Sequence, residues 1–191
     1  MWDYLPLCGF CGGSIVATKY VITAAHCLYH EGFKTEKTVD EIAVRIGEHD
    51  RKQEGEEKLP ADFVNIKTIH KHPKWGLDKE TSQKLPIEAI SVYDIAILEL
   101  ERELDLTKFT PVCLPKPSDL YSFDGKSARA AGWGNIGPYP YMHYPNVPYE
   151  VDLTVQARTD SRCSYPNGTS LDKSQMCAGL GQPNTGACHV S

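Results

Sequence analysis

His26 and Asp94 break the local rules of the segments that carry them. His26 follows the apolar run Tyr20–Ala25 and precedes a cysteine, in Ile22-Thr23-Ala24-Ala25-His26-Cys27. Asp94 stands at the head of an otherwise apolar run, Ile95-Ala96-Ile97-Leu98. An ionised carboxylate placed there is costly unless partners hold it. An imidazole donating a ring N–H to it would be such a partner, and the pair would form an oriented general base. Each residue alone also fits a plainer role, the histidine as a satisfied core or surface residue and the aspartate as a strand cap. Two other groups carry chemistry by type. Cys8-Gly9-Phe10-Cys11 has the spacing of a redox pair or of half a zinc site, but it has no second C-x-x-C and no βαβ pattern around it. His70 and His72 lie two apart, as two metal ligands on one strand face would, with no third ligand near in the sequence; an ordinary strand end is the expectation there.

The elements that must position His26 and Asp94 read as strands. Gly13–Ala17, Tyr20–Ala25, Ile42–Gly47, Phe63–His70, Val92–Leu100, Ser127–Trp133 and Tyr149–Arg158 are short runs rich in Val, Ile, Tyr or Phe between turn signals. Helical periodicity is confined to a turn at Ala25–Tyr29 and another near Thr159–Ser164. With 15 glycines and 13 prolines punctuating these runs, the pattern is that of an all-β sandwich or barrel. Lys71–Pro86 reads as a surface loop, and Thr110–Pro115 as an extended connection between two halves.

Composition narrows the classes. The 191 residues are 41% apolar and 24% charged, which excludes disordered and low-complexity chains. A net charge of −5 argues against nucleic acid and anionic membrane as partners, and no apolar run approaches the length of a membrane-spanning helix. Seven cysteines point to an oxidising compartment. Asn167-Gly168-Thr169 is a glycosylation sequon that agrees with it. No signal peptide opens the sequence at Met1-Trp2-Asp3-Tyr4.

Cys11-Gly12-Gly13-Ser14-Ile15-Val16 followed by Ile22–Cys27, then Asp94-Ile95-Ala96-Ile97-Leu98, Ala131-Gly132-Trp133-Gly134 and Met176-Cys177-Ala178-Gly179, form four blocks in order across Cys11–Cys188. In these blocks the chain resembles the trypsin/chymotrypsin-like serine proteases. The resemblance implies an all-β fold of two antiparallel β-barrels of the chymotrypsin-like type, the second incomplete. Residues 1–110 would form the N-terminal barrel with His26 and Asp94, and 111–191 a partial C-terminal barrel. His26 would be the general base and Asp94 the acid that fixes its tautomer. It also implies bridges Cys11–Cys27 and Cys163–Cys177. Cys113 would hold a propeptide or light chain, and Cys188 would pair with a downstream cysteine, leaving Cys8 unassigned.

The third member of the triad is missing. Where the family continues into Gly-Asp-Ser-Gly-Gly, Cys188 is followed by His189-Val190-Ser191. Ser191 falls on the family's aspartate position, one short of the nucleophile, and lacks the glycine-rich turn that forms an oxyanion hole. The expectation is therefore a secreted serine endopeptidase made as a zymogen, with a protein or peptide substrate, of which these residues are an inactive fragment lacking both ends. The alternative is a non-catalytic homologue acting as a binding or regulatory module. Gly186 projects onto the floor of the specificity pocket and argues against an Arg/Lys preference. No cofactor is required. The acidic stretch Glu48–Glu57 is similar to a loop that binds calcium in some members, which implies Glu48, Glu54 and Glu57 as ligands, against the plainer expectation of a solvated acidic turn.

Overall fold

The computed structural model describes residues 10–30, 35–52, 62–75, 92–116, 123–137, 141–164 and 170–179. Within them the chain is all-β apart from two short 3-10 turns. Eight strands are present: β1 (Ser14–Ala17), β2 (Tyr20–Thr23), β3 (Ala43–Ile46), β4 (Asp62–Lys71), β5 (Ala96–Leu100), β6 (Ser127–Gly132), β7 (Tyr149–Gln156) and β8 (Cys177–Ala178). They make an antiparallel five-stranded sheet in the order β1-β2-β5-β4-β3 and a three-stranded one in the order β6-β7-β8. This agrees with the chymotrypsin-like architecture expected, a curled first sheet followed by a second antiparallel one.

The curl has a local cause. The ten-residue strand β4 pairs with β3 through Asp62–Asn65 and with β5 through Ile66–Lys71, and the register slips by one residue between Ile66 and Thr68. The extra residue, Lys67, makes a bulge, which bends a strand and tightens its twist. The residues that face inward alternate, as the pleat requires: Val64 and Ile66 on β4, and Ala96, Leu98 and Leu100 on β5. Val21 of β2 and Ile46 of β3 join them, and Ala25, Leu28, Ile42, Trp75 and Leu104 close the cluster from the loops. Gly13 is required by this packing, since a Cβ there would lie 2.9 Å from Val21 Cγ1 and 3.1 Å from the Ile22 carbonyl.

The second sheet is built differently. β6 is Ser-Ala-Arg-Ala-Ala-Gly, so its half-buried positions hold only alanine and glycine. Val155 and Cys163 are its buried apolar residues among those described. Direct bonds join the halves: the Trp133 indole N–H donates to the His49 carbonyl at 3.1 Å, and the Arg51 backbone N–H to the Asn146 carbonyl at 3.0 Å.

Two expectations about local structure need correction. Val92–Ile95 is a turn and an extended residue pair rather than the start of β5, for a reason given below. Thr159–Ser164 is a pair of tight turns rather than a helical one: Asp160 Oδ1 accepts the Arg162 backbone N–H, which satisfies the chain without helix.

Candidate active site

His26 sits in the 3-10 turn Ala25–Leu28 that directly follows β2. The turn is anchored on both sides of the histidine. Ala25 is 0% and Leu28 2% exposed, so both side chains are locked in the core, and Cys27 is bridged to Cys11. His26 itself points away from that core with its side chain 43% exposed.

Asp94 is delivered by a break in the strand pattern. Tyr93 has φ +55°, the left-handed region that costs a non-glycine residue about 1 kcal/mol. It is held there from three sides. Its backbone N–H donates to Ser174 Oγ at 2.9 Å, its ring stacks on that of His72 at 4.6 Å, and its carbonyl accepts the Ile95 N–H at 2.8 Å. The kink turns Asp94 off the sheet and towards His26; a strand continuing from Val92 would not. Ser174 comes from the segment before β8, so the second half of the molecule helps to set the aspartate of the first.

The result is a two-point grip. His26 Nδ1 donates to Asp94 Oδ2 at 2.6 Å, and the backbone N–H of His26 donates to Oδ1 at 2.8 Å. A carboxylate facing Nδ1 accepts only, so the ring proton stays on Nδ1 and the lone pair is on Nε2, which lies 3.7 Å from the bridged Cys27 Sγ. The hydrogen bond to Asp94 is the main reason the His26 pKa lies above 6.5; burial opposes it, the aspartate's charge adds to it, and nearby Lys37 works against it. Burial pushes Asp94 up, but the His26 ring, the His26 backbone N–H, the charge of His26 and the Ala25 N–H together bring it below 3.8. An oriented imidazole with an unprotonated Nε2 can take a proton from a hydroxyl and return it to a leaving group.

Three contributors were not singled out in the sequence. Lys37 Nζ donates to the Cys27 carbonyl at 3.0 Å and lies 3.9 Å from the centre of the Phe10 ring. Tyr93 and Ser174 set the aspartate. An open hollow of about 540 Å³ borders Thr23, Tyr93, Asp94 and Ser174 and so flanks the acid rather than the base.

Of the other residues raised by the sequence, Cys163 and Cys177 are bridged, as Cys11 and Cys27 are. Cys113 is exposed and carries a free thiol. Glu48 is largely buried and ion-paired with Arg45 on β3. His70 and His72 part company: His70 Nε2 faces Glu99 at 3.9 Å, while His72 Nδ1 accepts the Lys74 N–H and its ring supports Tyr93. Cys8, Glu54, Glu57, Asn167, Gly186, Cys188 and Ser191 lie outside the described residues.

The family model described as Trypsin matches residues 7–189. A CLIP domain-containing serine protease B4 from Anopheles gambiae is 32% identical over 88% of this chain and 45% of its own length. Serine protease ea of Drosophila melanogaster is 29% identical over 93% of this chain and 45% of its own. The proclotting enzyme of Tachypleus tridentatus is 29% identical over 93% of this chain and 44% of its own. The chain thus spans less than half the length of these curated relatives.

Proposed function

The chain belongs to the trypsin family of serine proteases, and from that premise we propose that it supplies the base and the orienting acid of a secreted serine endopeptidase acting on protein substrates. The observation that carries the reading is the two-point grip of Asp94 on His26, with distances of 2.6 and 2.8 Å. In such a site the imidazole Nε2 accepts the proton of an attacking serine hydroxyl, and Asp94 stays ionised and stabilises the imidazolium that forms. The tetrahedral intermediate collapses when the same nitrogen returns its proton to the leaving amine. Water then repeats the cycle on the acyl-enzyme.

The 191 residues contain no Gly-Asp-Ser-Gly-Gly segment. In this reading the nucleophile is contributed by residues outside them, and the 191-residue chain alone does not hydrolyse peptides. A zymogen organisation, with Cys113 available for a bridge to another segment, goes with the exposure of that thiol. Calcium at the loop after β3 would have to compete with Arg45 for Glu48, so a metal there is proposed only with ligands other than Glu48 in the lead.

A fluorophosphonate probe tests the reading because it reacts only with an activated serine. The 191-residue chain should remain unlabelled. The native protein, after limited proteolysis, should be labelled once, at a serine outside these residues, and labelling should disappear with His26→Ala. A native protein that stays unlabelled after proteolysis would replace the endopeptidase by a binding or regulatory homologue.

A further inference from the structure

His26 Nε2 lies 3.7 Å from Cys27 Sγ, so the Cys11–Cys27 bridge adjoins the nitrogen that moves the proton. Two side chains flank the bridge. Phe10 directly precedes Cys11 and is exposed, and Lys37 arrives from a segment that returns alongside Leu28–His30. Backbone bonds fix that return: the Lys37 N–H donates to the Leu28 carbonyl at 2.8 Å, and the His30 N–H to the Thr35 carbonyl at 3.0 Å. Lys37 Nζ then donates to the Cys27 carbonyl at 3.0 Å and sits 3.9 Å from the centre of the Phe10 ring. We propose that Lys37 determines specificity by receiving the carboxylate of an acidic side chain one or two residues beyond the scissile bond of a protein substrate.

This rests on the endopeptidase reading and adds a substrate class to it. Direction is the first argument. Nε2 must return its proton to the leaving amine, which therefore comes within about 3 Å of Nε2. The departing chain thus starts beside the bridge that Nε2 adjoins. An extended chain advances about 3.5 Å per residue, and Lys37 Nζ is bound to the carbonyl of the same Cys27. The ammonium is then within reach of the first two departing residues. Charge is the second argument. Among the described residues Lys37 makes no ion pair, and Glu41 acts on it through charge alone, without a hydrogen bond. The neighbouring acids are engaged elsewhere, Glu36 with Lys71 and Tyr29, and Glu41 with the Thr38 N–H and hydroxyl. Burial pulls the Lys37 pKa below 10.5, as expected of a cation that has lost water and gained no counter-ion. The Cys27 carbonyl takes one of the three ammonium protons, which leaves two for a carboxylate. Preorganisation is the third argument: the carbonyl and the Phe10 ring already hold the ammonium, so little side-chain freedom remains to be lost on binding.

The test uses the native protein after limited proteolysis, with fluorophosphonate labelling to show that its site is assembled. A random peptide library, with cleavage sites read by mass spectrometry, supplies the sequence preferred before the cut. Quenched peptides sharing that sequence then compare Glu with Lys at the first two positions after the cut. The Glu peptides should show a kcat/KM about 3- to 10-fold higher, and the ratio should shrink as salt is raised. Lys37→Glu should reverse the order, Lys37→Gln should level it and Lys37→Arg should keep it, with labelling intact in each. Equal turnover of the peptides by labelled wild-type protein overturns the proposal. So does a preference for Glu that survives in either Lys37→Glu or Lys37→Gln, and one of the two suffices where the other fails to fold. A labelled protein without the preference leaves the endopeptidase reading standing, whereas a wild type that never labels removes that reading and the proposal with it.

Discussion

The two sheets of this molecule solve the same problem with different means. The first seals a cluster of Val, Ile, Leu and Trp side chains between alternating strand faces, with Leu100 fully buried. Among the described residues the second relies on Val155, on the alanines of β6 and on the Cys163–Cys177 bridge, while Tyr149 and Met176 stay more than half exposed. His26 and Asp94 both grow from the first sheet. The second lends Ser174. Chemistry that needs a fixed angle is placed on the part that packs, and the less packed part contributes a bond that locks it.

Core truncation gives the largest expected contrast. Leu100→Ala should destabilise the chain by about 2–5 kcal/mol in urea unfolding, and the equivalent Leu153→Ala on the half-buried face of β7 by clearly less. Equal losses would erase the distinction between the sheets. Next comes the staple. Replacing Cys163 and Cys177 by alanine removes a bridge across 14 residues, worth about 3 kcal/mol in the chain-entropy model. Amide exchange should then accelerate in β6–β8 and stay slow in β2, β4 and β5; uniform acceleration would mean that the halves form one cooperative unit. Ser174→Ala is smaller, about 1 kcal/mol for an amide left without its acceptor. It should also lower the pKa of His26 if Tyr93 relaxes and Asp94 withdraws. A stability loss with no change at His26 would remove Ser174 from the site.

The pH dependence follows from the same pair. His26 is raised from 6.5, so its contribution to stability is complete below 6.5 and fades as pH climbs through the folded value. Asp94 is lowered from 3.8, so its contribution is complete above 3.8 and fades as pH falls through the folded value. Both are in full force between 3.8 and 6.5. The stability gap between the wild-type chain and Asp94→Asn should be widest in that window and narrow above it. A gap that widened towards alkaline pH would contradict the direction assigned to His26.

Much of this was legible beforehand. Runs of β-branched and aromatic residues between turn signals located β1 to β7 within a few residues, because such side chains fit a pleated, half-buried surface and Gly and Pro mark its turns. What escaped has physical reasons. β8 is two residues long and carries no period at all. The start of β5 was placed too early because Val92 and Tyr93 have strand-like side chains, whereas their backbone is set by a serine 81 residues away. The 3-10 turn Val39–Glu41 had a readable signal, Thr38 with Glu41 three residues on, and in the structure the Thr38 backbone N–H and hydroxyl both donate to the Glu41 carboxylate, at 2.6 and 3.0 Å. The meeting of His26 and Asp94 could be expected from their rule-breaking positions and from the family blocks, but Lys37 and Ser174 could not, since nothing in their own neighbourhoods marks them.

The central claim is that Asp94 holds His26 as an oriented base, and an NMR titration of the His26 ring addresses it most directly. In the wild-type chain the resonance should titrate above 6.5, with the neutral ring protonated at Nδ1. Asp94→Asn should move the midpoint down and shift the neutral ring towards the other tautomer. A midpoint that stays in place when Asp94 loses its charge would mean that the two residues are neighbours without being partners, and the account of the site would fail.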